Sequence, residues 1–240
     1  MVKTARENAD PSVSRMFGRI AARYDRGNRV LSLGRDMAWR RKTVAALAPA
    51  AHELVLDIGA GTADLTLELC RRAGGVIALD FSRPMLELGV LKVRRAAPSA
   101  RVAFLMADAL ALPFPAASVD GAAAAFTFRN LTRMEDGFRE VYRVLKPGGR
   151  LACLEFTRPG SAAIGLLYRP YLNCLLPAIG GWVTGQRGPY AYLSRSINRF
   201  TTARGLAECM RRAGFESVEY RPLNLGTVAI HVARKAGAAA

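Results

Sequence analysis

Short apolar runs that end on an acidic residue, each followed by a stripe at helical spacing, set the rhythm of the middle of this chain. Leu54, Val55 and Leu56 run into Asp57, and Val76, Ile77, Ala78 and Leu79 run into Asp80. Short apolar runs bounded by turn signals predict strands buried on both faces. Further strands are predicted at about 101–106, 118–126 and 150–156, with helices to about 96 and over about 133–145. This alternation predicts an α/β fold built on a doubly wound, mostly parallel sheet. A helix from Arg204 to Ala213 stops at Gly214, and segments 216–222 and 226–234 predict a closing hairpin. That makes seven strands, the last of them antiparallel.

Two stretches break the rhythm. Residues 1–12 read as a disordered start, and Val13, Met16, Phe17, Ile20 and Tyr24 then form a helical stripe. Polar groups crowd between apolar anchors in the next stretch, which holds Arg23, Asp25, Asn28, Ser32, Arg35, Asp36 and Arg40 among Leu31, Leu33 and Trp39. It reads either as helix packed on the domain or as a cover over a pocket, with a second helix at about 36–48. Residues 157–200 are too long for an ordinary connection and carry Tyr168, Tyr171, Trp182, Tyr190 and Tyr192. A helical lid for an apolar substrate or membrane interface fits them, and so does a helical pair packed on the sheet. The expected division is an N-terminal helical segment covering the pocket (1–50), a cofactor-binding α/β core (51–156), a helical, aromatic insertion (157–200) and a last helix with hairpin (201–240).

The candidate chemistry lies where the first strands end. Behind Asp57 stand Gly59, Gly61 and Thr62, and at the tip of the second strand stand Asp80 and Phe81. Glycines let backbone approach a ligand closely, and an acid at the next strand tip grips a ribose diol. A dinucleotide fingerprint wants a third glycine three residues after the second, where this chain has Asp64, whose charge repels a pyrophosphate. A ligand with a ribose, no phosphate and a positive charge fits better. S-adenosylmethionine is such a ligand. Asp108, followed by Ala109, stands after the third strand, where it can accept from an adenine amino group or cap a helix. Thr127, Phe128, Arg129 and Asn130 follow the fourth strand at the ligand-binding edge of the sheet. Arg129 serves there for chemistry or for a salt bridge, and Asn130 for chemistry or a turn. His231, inside the last strand, reads as structural.

Composition narrows the partners. Among 240 residues, 35 Lys and Arg stand against 19 acids, a net charge of +16. Such a balance means attraction to nucleic acid or an acidic membrane surface, or only a solvated arginine-rich exterior. No uncharged apolar run reaches the roughly 18 residues of a membrane span, and the polar start lacks the apolar region of a secretion signal. Four scattered cysteines without a Cys-x-x-Cys pair, and two histidines, point to a reducing cytoplasm and no metal.

Longer motifs add a resemblance. Arg23-Tyr24-Asp25 with Asn28, Asp36 with Trp39-Arg40, and Leu56-Asp57 with Gly61-Thr62 and Asp64-Leu65 are three of them. Asp80-Phe81-Ser82, Leu112-Pro113-Phe114-Pro115, Arg129-Asn130, Lys146-Pro147-Gly148-Gly149, Leu154-Glu155-Phe156 and Tyr190 with Tyr192-Leu193 follow. On these the chain resembles the ubiquinone/menaquinone biosynthesis C-methyltransferases, which methylate a prenylated quinol ring, from about Val13 to Ala233. The Lys-Pro-Gly-Gly and Leu-Pro-Phe segments occur across many methyltransferases; the Arg-Tyr-Asp segment, the Arg-Asn pair and the aromatic insertion are more particular to this family. The resemblance implies the class I S-adenosylmethionine-dependent methyltransferase fold and cofactor contacts at Thr62, Asp80, Asp108 and Ala109. It also implies a lipid quinol substrate, with demethylmenaquinol favoured, and a cytoplasmic enzyme peripheral to an anionic membrane, either alone or as a homodimer. Three positions depart from the family pattern. Ala63 stands where glycine is usual, with a methyl that either crowds the cofactor or is absorbed; Thr127-Phe128 replaces Gly-Leu and alters the expected pocket floor; and Ala125 occupies a place where some members have a serine that touches the cofactor.

Methylation at carbon needs an electron-rich ring carbon, which a hydroquinone supplies once a hydroxyl is deprotonated. Arg129 is the expected stabiliser of the phenolate, with Asn130 and Tyr24 orienting a water that takes the proton. A guanidinium is a poor base because its pKa exceeds ~12. The rivals are a methyltransferase for oxygen or nitrogen of another small phenolic acceptor, a nucleic-acid methyltransferase, and a scaffold without activity. The chain has neither an Asn/Asp-Pro-Pro-Tyr/Phe segment nor a Pro-Cys pair, so nucleic acid is not expected. Intact Asp57, Thr62, Asp64 and Asp80 argue against the scaffold.

Overall fold

A computed structural model describes residues 11–237. Seven strands form one sheet in the order β3-β2-β1-β4-β5-β7-β6. The central strand β1 (Leu54–Ile58) pairs in parallel with β2 (Gly75–Asp80) on one side and β4 (Val119–Ala125) on the other. Strands are thus added outward from β1 on one side and, from β4, on the other, and this switch in strand order opens a crevice at the carboxyl ends of β1 and β4. β3 (Val102–Met106) extends one half, and β5 (Leu145–Phe156) the other. In the closing hairpin of β6 (Ser217–Leu223) and β7 (Val228–Arg234), β7 runs antiparallel to β5 and lies between it and β6.

Helices cover both faces. On one lie α2 (Arg35–Leu47), α3 (Asp64–Leu69) and α4 (Arg83–Ala96), and on the other α5 (Met134–Val144) and α9 (Ala203–Arg212). Two closely applied layers explain why β4 reads Gly121-Ala122-Ala123-Ala124: small side chains keep both helix layers near the sheet. The Lys146-Pro147-Gly148-Gly149 segment is drawn into β5 as a bulge, where register steps from Val119↔Leu145 to Gly121↔Arg150.

The N-terminal stretch differs from the sequence reading. Instead of a helix giving way to a polar segment, α1 runs unbroken from Pro11 to Leu31, so Pro11 and Ser12 belong to it. Proline fits the first helical turn because its missing N–H would go unpaired there anyway. Residues 1–10 and the side chains of Val13, Phe17 and Ile20 lie outside the described part. Residues 162–199 form three helices, α6 (Ala162–Pro170), α7 (Leu176–Thr184) and α8 (Gly188–Arg199), with a wide π-type turn at Tyr171–Leu175 joining the first two. α7 packs on α1 and α8.

His231 is fully buried in β7, and its Nε2 lies 2.8 Å from the Ala203 carbonyl, which assigns the proton to that nitrogen. Burial pushes its pKa down to about 4. A histidine depressed in the fold contributes stability that is complete above its unfolded pKa of ~6.5 and is lost as pH falls toward the folded value. Urea titrations should show stability falling by ~1.4 kcal/mol per unit between about pH 6.5 and 4, and His231→Gln should remove that slope. An unchanged slope in the variant would assign the acid sensitivity to other groups.

Candidate active site

β1 and β4 end on the same edge, and the chain turns sharply behind each. After β1 the amides of Gly59 and Ala60 both donate to the Leu79 carbonyl, at 2.8 and 2.9 Å, which folds the glycine turn back over β2. Gly59 has φ +70°, and a Cβ there would meet the Thr127 side chain at 2.4 Å. Gly61, at φ +55°, faces open space where a Cβ would touch nothing. The first glycine is demanded by packing, and the second leaves room for a ligand.

Acids stand at or just past the ends of β1, β2 and β3, on the same edge as that turn. Asp80 accepts from the Gly61 amide at 2.9 Å and from the Ser82 amide at 2.8 Å, and its burial raises its pKa against those bonds. Asp108 accepts from the Leu110 amide at 2.9 Å through one oxygen, while Oδ2 is buried without a partner. Asp57 accepts from the Thr66 hydroxyl at 2.5 Å and keeps Oδ1 unpartnered, and burial pushes its pKa up to about 7. Phe81 is half-buried beside Asp80, and Ala109 is buried beside Asp108. Acceptors without donors, next to a backbone turn with space above it, fit a ligand that brings its own hydroxyls and amino groups.

One part of the sequence argument needs correction here, and one of its open alternatives closes. Asp64 is no free anion for a cationic ligand, because Arg29 donates to it at 3.0 Å and Lys92 at 2.8 Å. Burial alone would raise its pKa, yet Arg40, Lys92 and Arg29 outweigh burial and hold it below the usual carboxylate range. Ala63 does not crowd the turn: it adopts φ +68° with its methyl fully buried toward Gly89 of α4, where a second methyl would come within 3.1 Å. Thr62 donates its hydroxyl to Asp25 of α1 at 2.6 Å. Lys92 also pairs with Asp25, and Asp36 takes Arg29, Arg40 and Ser32, so α1 is fastened across the glycine turn.

Under α1, α7 and α8 lies a cavity of about 330 Å³, bounded by Tyr24, Trp39, Phe126, Phe156, Tyr171 and Tyr190. Phe126 forms its floor at the end of β4, in a left-handed conformation at φ +62°. Its ring lies 4.6 Å from that of Phe156, edge-on to Trp39 at 6.3 Å, and within 6 Å of the guanidinium groups of Arg40 and Arg129 (5.5 and 5.9 Å). The expected floor residues are elsewhere: Phe128 is fully buried in the core, stacked on Phe138 at 4.0 Å, and Thr127 donates to the Ile58 carbonyl. A single turn of 3-10 helix at Phe128–Asn130 rotates Phe128 inward.

Arg129 reaches the cavity wall with its side chain 3% exposed, paired at 2.8 Å to Glu155, which is fully buried. Burial raises Glu155 toward protonation, against the charge of Arg129. The Arg129 Nε has no partner. Asn130 does not line the cavity; its side-chain oxygen accepts from the Tyr192 hydroxyl at 3.2 Å, and Tyr192 lines it. Both readings of Arg129, wall cation and salt bridge, therefore coexist. Glu155 and Phe156 were legible as the end of a strand and as part of a family motif but were given no role, although a polar and an aromatic residue at the tip of the strand beside β4 carried the signal.

A profile of the ubiE/COQ5 methyltransferase family matches residues 3–235. The chain belongs to that family. It is 46% identical over 219 residues, 90% of this chain and 98% of the other, to the demethylmenaquinone methyltransferase of Thermus thermophilus. It is 42% identical to the ubiquinone/menaquinone biosynthesis C-methyltransferase UbiE of Acidiphilium cryptum, over 91% of this chain and 88% of that one. The fold matches a solved SAM-dependent methyltransferase of Thermotoga maritima at a TM-score of 0.65 and 21% identity, covering 93% and 99% of the two chains. This family member is thus an S-adenosylmethionine-dependent C-methyltransferase with the class I fold.

Proposed function

We propose that this ubiE/COQ5-family enzyme methylates a ring carbon of a prenylated quinol, with demethylmenaquinol as the acceptor. The observation that carries the reading is the aromatic-walled cavity beside the cofactor turn, apolar enough for a naphthalene ring and tail, with one buried cation in its wall. The names of the relatives point the same way. The cofactor, when bound, supplies an electrophilic methyl group. In this reading Asp57, Gly59, Gly61, Thr62, Asp80, Phe81, Asp108 and Ala109 hold it, with Asp80 on the ribose and Asp108 Oδ2 on the adenine amino group.

The acceptor side has two tasks. It must hold the ring flat, which Phe126 and Phe156 do from below. It must also favour the phenolate over the phenol. Arg129 supplies a fixed positive charge in a poorly solvated wall, where it acts more strongly than in water. Glu155 and the Phe126 carbonyl fix that guanidinium through Nη1, at 2.8 and 2.5 Å. Tyr24 lines the cavity, and with Tyr192, itself held by Asn130, it orients the water that takes the phenolic proton. Asn130 is then a positioning residue.

The entrance suits a substrate kept in a bilayer. Leu33 both lines the cavity and is 83% exposed, so it marks the mouth, next to exposed Arg35. Leu167 on α6 and Trp182 on α7 stand 80% and 87% exposed. Exposed leucine and tryptophan with arginine beside them suit a peripheral dock on an anionic leaflet. Among the described residues no helix is long and apolar enough to cross a membrane.

The direct test offers labelled cofactor with reduced demethylmenaquinone and a reduced demethyl-benzoquinone side by side. Label is expected in the naphthoquinol, with Arg129→Lys lowering turnover at least tenfold, ~1.4 kcal/mol, and Asp80→Asn raising the cofactor KM by a similar factor. Label in neither quinol would overturn the acceptor, and Arg129→Lys within threefold of the parent would remove Arg129 from the chemistry. Sedimentation with vesicles should show binding to acidic but not neutral lipid, weakening as salt rises; equal binding to both would refute the dock.

A further inference from the structure

Part of the positive charge of the chain is paired locally with carboxylates, and a large part is not. Arg139, Arg143, Arg150, Arg204 and Arg212 each pair with a carboxylate. Arg195 and Arg199 on α8 do not. They are exposed, one helical turn apart, and among the described residues no carboxylate pairs with either. Like charges at that spacing repel along a helix, so the arrangement costs stability unless something anionic sits between them.

Something could sit there. Arg195, Ser196 and Arg199 join Tyr192, Phe200 and Arg129 around a second pocket, of about 240 Å³, on the far side of the wall that bounds the aromatic cavity. Arg129 is nearly all buried, and its Nε has no hydrogen-bond partner. Its one carboxylate, Glu155, is fully buried and does not line this second pocket. Ser196 and Tyr192 spend their hydroxyl protons on the Leu193 carbonyl and on Asn130 Oδ1. The pocket's donors are therefore guanidinium groups, and it holds no acidic side chain.

We propose that this pocket is an anion site for a phosphate group, gripped by Arg195 and Arg199 with Arg129 as its charged back wall. Planar guanidinium forks match phosphate oxygens in pairs, and two forks one turn apart can engage different oxygens of one tetrahedral group. A free phosphate monoester and the phosphate of an acidic lipid present the same chemistry. The site does not rest on the quinol reading, because neither Arg195 nor Arg199 lines the aromatic cavity.

Calorimetry on the full chain, at constant ionic strength set with chloride, tests it with two probes, inorganic phosphate and soluble dihexanoyl phosphatidate. Saturable binding is expected, weakened at least tenfold in Arg195→Gln/Arg199→Gln, whose exposed side chains leave the fold intact as checked by circular dichroism. Tighter binding of the phosphatidate assigns the site to a lipid headgroup, and equal or weaker binding assigns it to free phosphate. Absence of saturable binding by either probe, or equal affinity in the double variant, overturns the proposal. Methyl transfer plays no part in the readout, so failure of the acceptor assignment would leave this result standing.

Discussion

A ladder of alternating charge fastens helix α1 across the glycine turn, and both halves of the site depend on it. Arg40, Asp36, Arg29, Asp64, Lys92 and Asp25 follow one another in contact, ending on the Thr62 hydroxyl. Three cations meet three carboxylates, so the ladder is neutral although the chain is strongly basic. Carboxylates buried as Asp36 and Asp64 are would be costly without cations beside them, and removing one member of the ladder leaves the rest with an uncompensated charge. The ladder is therefore better understood as a device for placing α1 than as a source of net stability. Its upper end lines the aromatic cavity through Asp36 and Arg40, and its lower end touches the glycine turn.

A second buried pair does the same for the far wall. Glu155 stands one residue before the end of β5 and Arg129 follows β4, so their contact ties two neighbouring strand tips and puts a cation in the cavity wall. Phe126, between them, takes a left-handed backbone that costs a bulky residue of the order of 1–2 kcal/mol. Strain of that kind persists where surrounding contacts over-determine it, and here Phe156, Trp39 and two guanidinium groups do so. A flat aromatic floor with a cation in the adjoining wall is what a phenolate ring requires.

The sheet was legible because its signals are local. An apolar run ending in Asp57 or Asp80, a Gly-x-Gly turn, and breakers at Gly214 each act within a few residues. What the sequence hid is long-range. Asp64 looked like an unopposed anion because its partners stand 35 residues before it and 28 after it. The unbroken α1 was hidden for the same reason: its polar residues look like a surface segment until α4 and the glycine turn are set against them. Phe128 looked like pocket floor and is core, because one turn of 3-10 helix after β4 changes which residue faces inward. Ala63 left two readings open, crowding or absorption, and Gly89 across from it takes up the extra methyl.

The claim that a charge ladder holds α1 over both compartments is tested most directly by hydrogen exchange across residues 24–31, in the parent and in Asp64→Asn. The account predicts amides protected in the parent and exchanging at least tenfold faster in the variant, ~1.4 kcal/mol of local opening, with β1 and β4 unchanged. Protection over 24–31 that does not respond to the loss of Asp64 would contradict it.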